Sequence, residues 1–356
     1  MPPESPRRYR GPMAADPRFV QALRRLNPGG PPGDGEYIAR DAANGRGWNV
    51  LERIETLLAA GTHLRALLHG CTGVGKSSEF ARWQRHVQGR LVVRVTTDSL
   101  DVEHIRWGLV DQLVGEAEER GARRAGELRE RVDMIGNAPM EDEEASWASS
   151  RLFEDVMESL RIHDPHEDLL ILIDGLDLVS EKAIATAFGP RGSLLETDLP
   201  PFVATVPHTW AISGGPSARH DAIEAVWHLP PLGVIDEAGN PQEEILDRVV
   251  VGLAARLGDP GVFESPDLLH RIALNSGGVP RHAVILLRQA LLAASGSPKV
   301  RAEHVIEAER ELRQDLRHSL GVGGVRRATP QAYLSGAILS YEGSEARFER
   351  PHPLLA

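Results

Sequence analysis

The chain is poor in cysteine, in lysine and in aromatic residues, and it has no long apolar run and no excess of positive charge. Its one cysteine, Cys71, excludes an intrachain disulfide and fits a reducing compartment. The most apolar run, Leu169–Ile173, is far shorter than the ~20 residues that a membrane helix needs. Met1–Met13 is rich in Pro and Arg but has no apolar core, so no signal peptide is expected and a cytoplasmic location is the default. The net charge of −11 gives the whole chain no electrostatic footprint for nucleic acid. No internal repeat is visible. What remains is a composition of globular type over 356 residues, enough for two or three domains and a large core.

The scarcity of lysine makes one of the three stand out. Residues 70–77 read Gly-Cys-Thr-Gly-Val-Gly-Lys-Ser, a complete G-x-x-x-x-G-K-[ST] phosphate loop. The apolar run Leu64–His69 before it suits a strand, and Ser77–Val87 suits the helix that should follow. The amides of Gly70, Thr72, Gly73, Val74, Gly75, Lys76, Ser77 and Ser78 form the candidate cradle, because a glycine-rich turn opening a helix points N–H groups at an anion. Lys76 would reach the β/γ-phosphates, and the Ser77 hydroxyl would join Mg²⁺. Cys71 occupies a variable position of the loop, where a small residue suffices.

A second acidic signal follows about a hundred residues later. Asp168–Asp177 is a buried-type strand ending in a carboxylate, Asp174, with Asp177 three residues on. At the end of a parallel strand Asp174 can hold Mg²⁺ through its water shell. Asp177 can reach the water beside the γ-phosphate, or it caps a helix beginning near Ser180. The charged stretches Glu116–Arg131 and Glu141–Glu144 read as solvated helical surface, and His163–Asp168 as a connection.

The remaining pattern gives the organisation. Residues 1–35 read as an extended or partly disordered lead-in, interrupted by a short helix around Pro17–Leu26. Residues 36–235 read as an α/β core, with further strands at Leu91–Thr96, Phe202–Pro207, Thr209–Ser213 and Val226–Pro230, and a helical stretch from Val102 to Val132. Residues 236–318 carry helices only, at Glu243–Leu257, Pro266–Ser276, Pro280–Ala294 and Arg301–Arg317. Residues 319–356 end in a hairpin pattern, with Ala337–Tyr341 returning as Ala346–Glu349. The fold class expected is α/β: a parallel sheet flanked by helices, then a helical lid and a small tail domain.

With both motifs and this order in view, the chain resembles the AAA-plus and STAND branch of P-loop ATPases. Gly75-Lys76-Ser77-Ser78-Glu79-Phe80 is similar to the first-helix start of bacterial ATPases of this kind, and Ile173-Asp174-Gly175-Leu176-Asp177 to their acidic strand. Ser276–Arg281 resembles the second-sensor segment of the lid, which implies that Pro280 approaches the adenine and Arg281 the phosphates. Tyr37-Ile38-Ala39-Arg40 stands where such proteins line the adenine pocket, implying Tyr37 and Ile38 as contacts. Thr205 matches the first sensor, with Ser213 as the alternative. Leu334–Leu355 resembles a winged-helix ending.

Two departures bear on activity. The family's Glu after the Mg²⁺ aspartate is Gly175 here, and Leu178 replaces the Glu that often follows the second Asp. Asp177 would then serve as base or water-positioner, with slow hydrolysis. The resemblance implies ATP and Mg²⁺ as ligands, and a nucleotide-controlled switch acting through homo-oligomerisation or an effector encoded nearby, of the kind found in bacterial defence and regulation. A DNA-handling ATPase is the alternative, with Arg326-Arg327 and Arg310–Arg317 for phosphate contacts. Arg191 and Arg219 fall in loops suited to an arginine finger, but neither is singled out among 37 arginines.

Overall fold

Leu169–Ile173 is a continuous apolar run that ends in Asp174, and all six residues are buried, the mark of a strand covered on both faces. This strand, β3, lies inside a five-stranded sheet of order β2-β3-β4-β1-β5, with β1 Arg65–His69, β2 Leu91–Thr96, β4 Phe202–Thr205 and β5 Ala225–His228. Every pairing is parallel, as in β1–β4 (Leu67 opposite Ala204) and β2–β3 (Thr96 opposite Asp174). The computed structural model describes residues 17–28, 32, 36, 38, 50–61, 63–87, 89–96, 105–136, 142–160, 168–179, 184, 188, 200–212, 223–320, 330–342 and 347–356. The expectations for Tyr37, the 163–167 cluster, Arg191, Ser213, Arg219 and Arg326-Arg327 lie outside these residues.

The chain divides into two units. One comprises Arg46–Pro230 with Pro330–Ser335, the other Met1–Gly45, Pro231–Thr329 and Gly336–Ala356. In the first, helices α2 (Val50–Ala59) and α3 (Lys76–His86) flank β1 in sequence, and α3 packs on β2 and β3. Helices α4 (Ile105–Glu119), α5 (Ala125–Gly136) and α6 (Asp142–Ser159) pack on one another. Leu109, Leu113, Leu128 and Leu152 from these helices join Val93, Val95, Ile171 and Ile173 of the sheet in one core. Fully burying such a side chain contributes ~1.5–3 kcal/mol.

Two local expectations need correcting. The stretch read as one helical pattern to Val132 is two helices, because the chain turns at Gly121 and Arg124, both at positive φ. Arg129 then bridges them, with its guanidinium on Asp111 and Glu118. Thr209–Ile212 is not a strand but part of a short helix, α7 (His208–Ile212). Pro207 has no N–H to continue a ladder, and its carbonyl accepts from the Ala211 amide at 3.1 Å, closing a helical turn. Five residues are too few for periodicity to separate the two outcomes.

The second unit holds α1 (Pro17–Arg25), α8 (Glu243–Leu257), α9 (Asp267–Asn275), α10 (Pro280–Ala293) and α11 (Ala302–Leu320). It also holds a hairpin of β6 (Ile338–Glu342) and β7 (Arg347–Pro351), paired antiparallel with Tyr341 opposite Phe348. Helix α12 (Pro330–Ser335) belongs to the first unit. Buried Glu309 of α11 accepts both ends of the Arg271 guanidinium at 2.6 Å and the Asn275 amide at 2.8 Å, so its charge is paired and its oxygens are satisfied.

The Ser276–Gly278 turn between α9 and α10 is tied down by the hairpin region. The Tyr341 hydroxyl donates to the Gly277 carbonyl at 2.8 Å, and His352 Nε2 lies 3.1 Å from the Ser276 carbonyl. The Gly278 carbonyl accepts from the Leu232 amide. A Cβ at Gly278 would stand 1.9 Å from the Leu232 carbonyl oxygen, and φ is +73°, so no other residue fits.

His352 is fully buried, beside His282, and its Nδ1 accepts from the Leu354 amide. Desolvation first, and the neighbouring His282 second, hold its pKa well below the ordinary value. The folded chain therefore binds fewer protons here than the unfolded chain once the pH drops below ~6.5. Stability from this group is complete above that pH and falls as the medium acidifies, by up to ~1.4 kcal/mol per pH unit. His352→Gln keeps a neutral donor for Ser276 and removes the titration. In urea melts from pH 7.5 to 5.5 the wild type should lose more stability than the variant, and parallel losses would contradict the buried neutral imidazole.

Candidate functional site

The phosphate-loop sequence lies between β1 and α3, at the carboxyl edge of the sheet, where open α/β sheets take their ligands. Gly75, immediately before α3, has φ +111°, a backbone shape that L side chains rarely adopt. Among the described residues, the amides of Gly73, Gly75, Lys76 and Ser77 donate to no backbone carbonyl. They are the orphan donors of a helix start, at the end that favours an anion. The Thr72 amide is engaged, donating to the Leu334 carbonyl of α12 at 2.8 Å, and Val74 donates back to Cys71 at 3.3 Å. Gly70 opens the loop, and Ser78 lies in the first turn of α3.

Lys76 is only 5% exposed. Its ammonium donates to the carbonyls of Gly70 (2.9 Å) and Cys71 (3.2 Å) and pairs with Asp177 Oδ2 at 2.9 Å. All three proton donors of the charge therefore have a partner. Asp177 sits in a 3-10 turn, Leu176–Leu178, after β3. Its other oxygen accepts from the Thr205 hydroxyl at 3.3 Å, while Thr205 Oγ1 itself accepts from the Gly175 amide at 2.9 Å. Thr205, fully buried at the end of β4, thus sets the position of the turn that carries Asp177.

Asp174 ends β3 and is buried. Its Oδ1 accepts from the Ser77 hydroxyl at 3.0 Å, and Ser77 is exposed at the mouth of the loop. Hydroxyl and carboxylate oxygens are the donors that a hard cation takes, so the pair fits Mg²⁺. The other oxygen, Oδ2, is held by the guanidinium of Arg94 from β2, through Nη2 and through Nε at 3.2 Å. Arg94 is the residue that the sequence reading missed. Its signal was present, as a lone charge inside the β-branched run Leu91–Thr96, but only the β2–β3 pairing shows which acid it meets.

The loop, Lys76, Ser77, Asp174, Asp177 and Thr205 are thus brought together in one unit. Ile38, Pro280 and Arg281 belong to the other unit and are described within it. Ile38 lies close against Gly252 of α8, Pro280 is the first residue of α10, and Arg281 donates to the Pro28 carbonyl at 3.3 Å. Three buried histidines also adjoin the loop unforeseen. His69, just before Gly70, has Nδ1 at 2.9 Å from that of His208, and the His228 ring lies 5.1 Å from that of His69. His69 lies 139 residues from His208 in sequence, beyond any motif.

A parallel α/β sheet with a phosphate loop at its carboxyl edge defines the class of this chain as a P-loop α/β protein. No protein-family model matches the sequence, and no curated protein matches it. Among solved structures it is similar to the Thermotoga maritima RuvB Holliday junction branch migration motor, at 11% identity and TM-score 0.41, covering 85% of this chain and 92% of that one. A Drosophila ORC structure bound to DNA is similar at 10% identity and TM-score 0.39, over 83% of this chain and 46% of that one. Likeness at this level adds no functional argument to the geometry. Among the described residues, no helix is long and apolar enough to cross a membrane.

Thr205→Val keeps the shape of the side chain and deletes its hydroxyl. The Gly175 amide then loses its acceptor and Asp177 a donor, in a buried setting where an unsatisfied group costs ~1–3 kcal/mol. A urea melt of the variant should show a loss in that range, and an unchanged midpoint would remove Thr205 from the positioning of Asp177.

Proposed function

We propose that this chain is a Mg²⁺-dependent ATP-binding protein and slow ATPase of AAA-plus or STAND type, whose nucleotide controls self-assembly or a protein effector. The observation that carries the proposal is the pairing of Lys76, in a loop where the Gly73, Gly75, Lys76 and Ser77 amides donate to no backbone carbonyl, with Asp177 in the turn after β3. Gly70, Thr72, Gly73, Val74, Gly75, Lys76, Ser77 and Ser78 would hold the phosphates. Ser77 and Asp174 would hold Mg²⁺, which when bound would neutralise charge on the phosphates. The assignment of Tyr37, Ile38, Pro280 and Arg281 to the nucleotide rests on the resemblance.

The local chemistry follows from competition for Lys76. In the structure its ammonium is shared by Asp177 and two carbonyls, so a phosphate that enters the loop competes with Asp177 for it. Drawing Lys76 toward phosphate would release one oxygen of Asp177, which could then accept a proton from water or orient it. Thr205 would keep the carboxylate in place during that exchange. A carboxylate three residues beyond the Mg²⁺ aspartate is a less direct water-positioner than one adjacent to it, and a misplacement of ~1 Å can lower the rate ~100-fold.

Ligand at ~100 times its dissociation constant stabilises the folded state by ~2.7 kcal/mol. Mg-ATP should raise the melting temperature of the wild type, and Lys76→Ala should lose that rise whatever its own baseline. An equal rise in both would sink the assignment of the loop. Asp177→Asn should keep binding and slow turnover, because an amide cannot accept a proton from water.

A second reading, a DNA-handling ATPase, is favoured by a groove of about 430 Å³ on α11, lined by Arg310, Arg313, Gln314, Arg317 and His318. Arg310 and Arg317 have no ionic partner among the described residues, and Arg313 donates to the Leu354 carbonyl at 2.7 Å. Mass photometry with ADP and with ATP separates the readings. ATP alone should change the mass or the affinity for the neighbouring gene product, and identical behaviour with both nucleotides would defeat the switch. Salt-sensitive duplex binding that Arg310→Glu with Arg317→Glu abolishes would promote the DNA reading instead.

A further inference from the structure

Asp174 is the acid that the proposed metal site depends on, and Arg94 holds one of its two oxygens. The alternation of the parallel pair explains how. Arg94 and Thr96 share one face of β2, and Leu172 and Asp174 share the same face of β3, with Thr96 opposite Asp174. This is the face against which α3 packs, so the Arg94 side chain runs along the sheet toward the end of β3 and the Ser77 start of α3. The end of β2 is itself held, by paired bonds of 3.3 Å between the Gln112 side-chain amide and the backbone N–H and carbonyl of Thr96. Asp174 is 4% exposed, and a carboxylate so buried requires a counter-charge or hydrogen bonds. Arg94 supplies both.

We infer that Arg94 is a built-in counter-ion of the metal-site aspartate, a positioning residue that makes Mg²⁺ binding weaker and more dependent on nucleotide. The inference rests on the reading of the site as an Mg-nucleotide site. A guanidinium on Oδ2 fixes the carboxylate so that Oδ1 faces Ser77, which orients the pair for a cation. The same guanidinium neutralises the charge that a divalent cation would otherwise find there, and like charges at this range oppose each other even at the effective dielectric of a protein. With Asp174 already neutralised, the site attracts little free Mg²⁺, and the negative charge that draws the metal in comes from the nucleotide phosphates. Arginine suits this task because it stays charged at any working pH and grips a carboxylate through two donors.

The test is a titration of MgCl₂ against the full chain with saturating ADP, read as the rise in melting temperature. The wild type and Arg94→Gln are compared, with EDTA as the starting point. Arg94→Gln should reach half of the Mg²⁺-dependent rise at a concentration lower by about tenfold, the effect of ~1.4 kcal/mol of relieved repulsion. Arg94→Lys, which keeps the charge, should stay within about threefold of the wild type. If Arg94→Gln does not fold, Arg94→Met keeps the length of the side chain without its charge and serves the same comparison. A midpoint in the uncharged variant equal to or above that of the wild type would overturn the inference and leave the nucleotide site standing, since a merely structural ion pair would lower baseline stability without lowering the Mg²⁺ midpoint. No rise in the wild type with ADP at any Mg²⁺ concentration would instead overturn the nucleotide site itself, and the inference with it.

Discussion

A buried ammonium cannot be left without partners, and the way Lys76 is satisfied ties three strand ends together. Two of its partners, the Gly70 and Cys71 carbonyls, come from the loop after β1, and the third, Asp177, from the turn after β3. Thr205 at the end of β4 then bonds both to that turn and to Asp177. Strand β4 lies between β1 and β3, and all pairings are parallel, so the three carboxyl ends meet at one edge. A parallel sheet with this order places a loop, a hydroxyl and a carboxylate side by side from segments distant in sequence.

The two acids of the site are held by different cations and in different ways. Asp177 is bound to Lys76, a point charge that it shares with two loop carbonyls. Asp174 is bound to Arg94, whose two-donor grip leaves one oxygen toward Ser77. Buried ion pairs of this kind are weak evidence for stability, since well-packed apolar residues often serve the fold as well or better. What the arrangement supplies is two carboxylates of fixed position, each oriented by its own cation.

The other unit solves a comparable problem without charge. Its Ser276–Gly278 turn has carbonyls buried from solvent, and they are taken up by the Tyr341 hydroxyl, the His352 imidazole and the Leu232 amide. Two of these donors come from or directly follow the C-terminal hairpin, so the turn before α10 and the chain end depend on each other. The imidazole can accept from the Leu354 amide only while neutral, and burial disfavours its charged form, which makes this part of the fold sensitive to acid.

Much of this was written in local sequence. The phosphate loop was legible because its glycines, lysine and serine are contiguous, and β3 was legible because a strand buried on both faces reads as an unbroken apolar run ending in Asp174. The four helices of α8 to α11 were legible from their periodicity and their glycine and proline boundaries. The short helix at His208–Ile212 was not, because five residues carry no period and a proline's carbonyl closed the turn. Nor was the partnership of Arg94 with Asp174, of Thr205 with Asp177, or of His69 with His208 and His228. The sequence by itself determined the type of the longer strands and helices, since those depend on neighbours within a few residues. The tertiary structure alone decided which charge faces which, because strand order and register bring together residues that no local pattern connects.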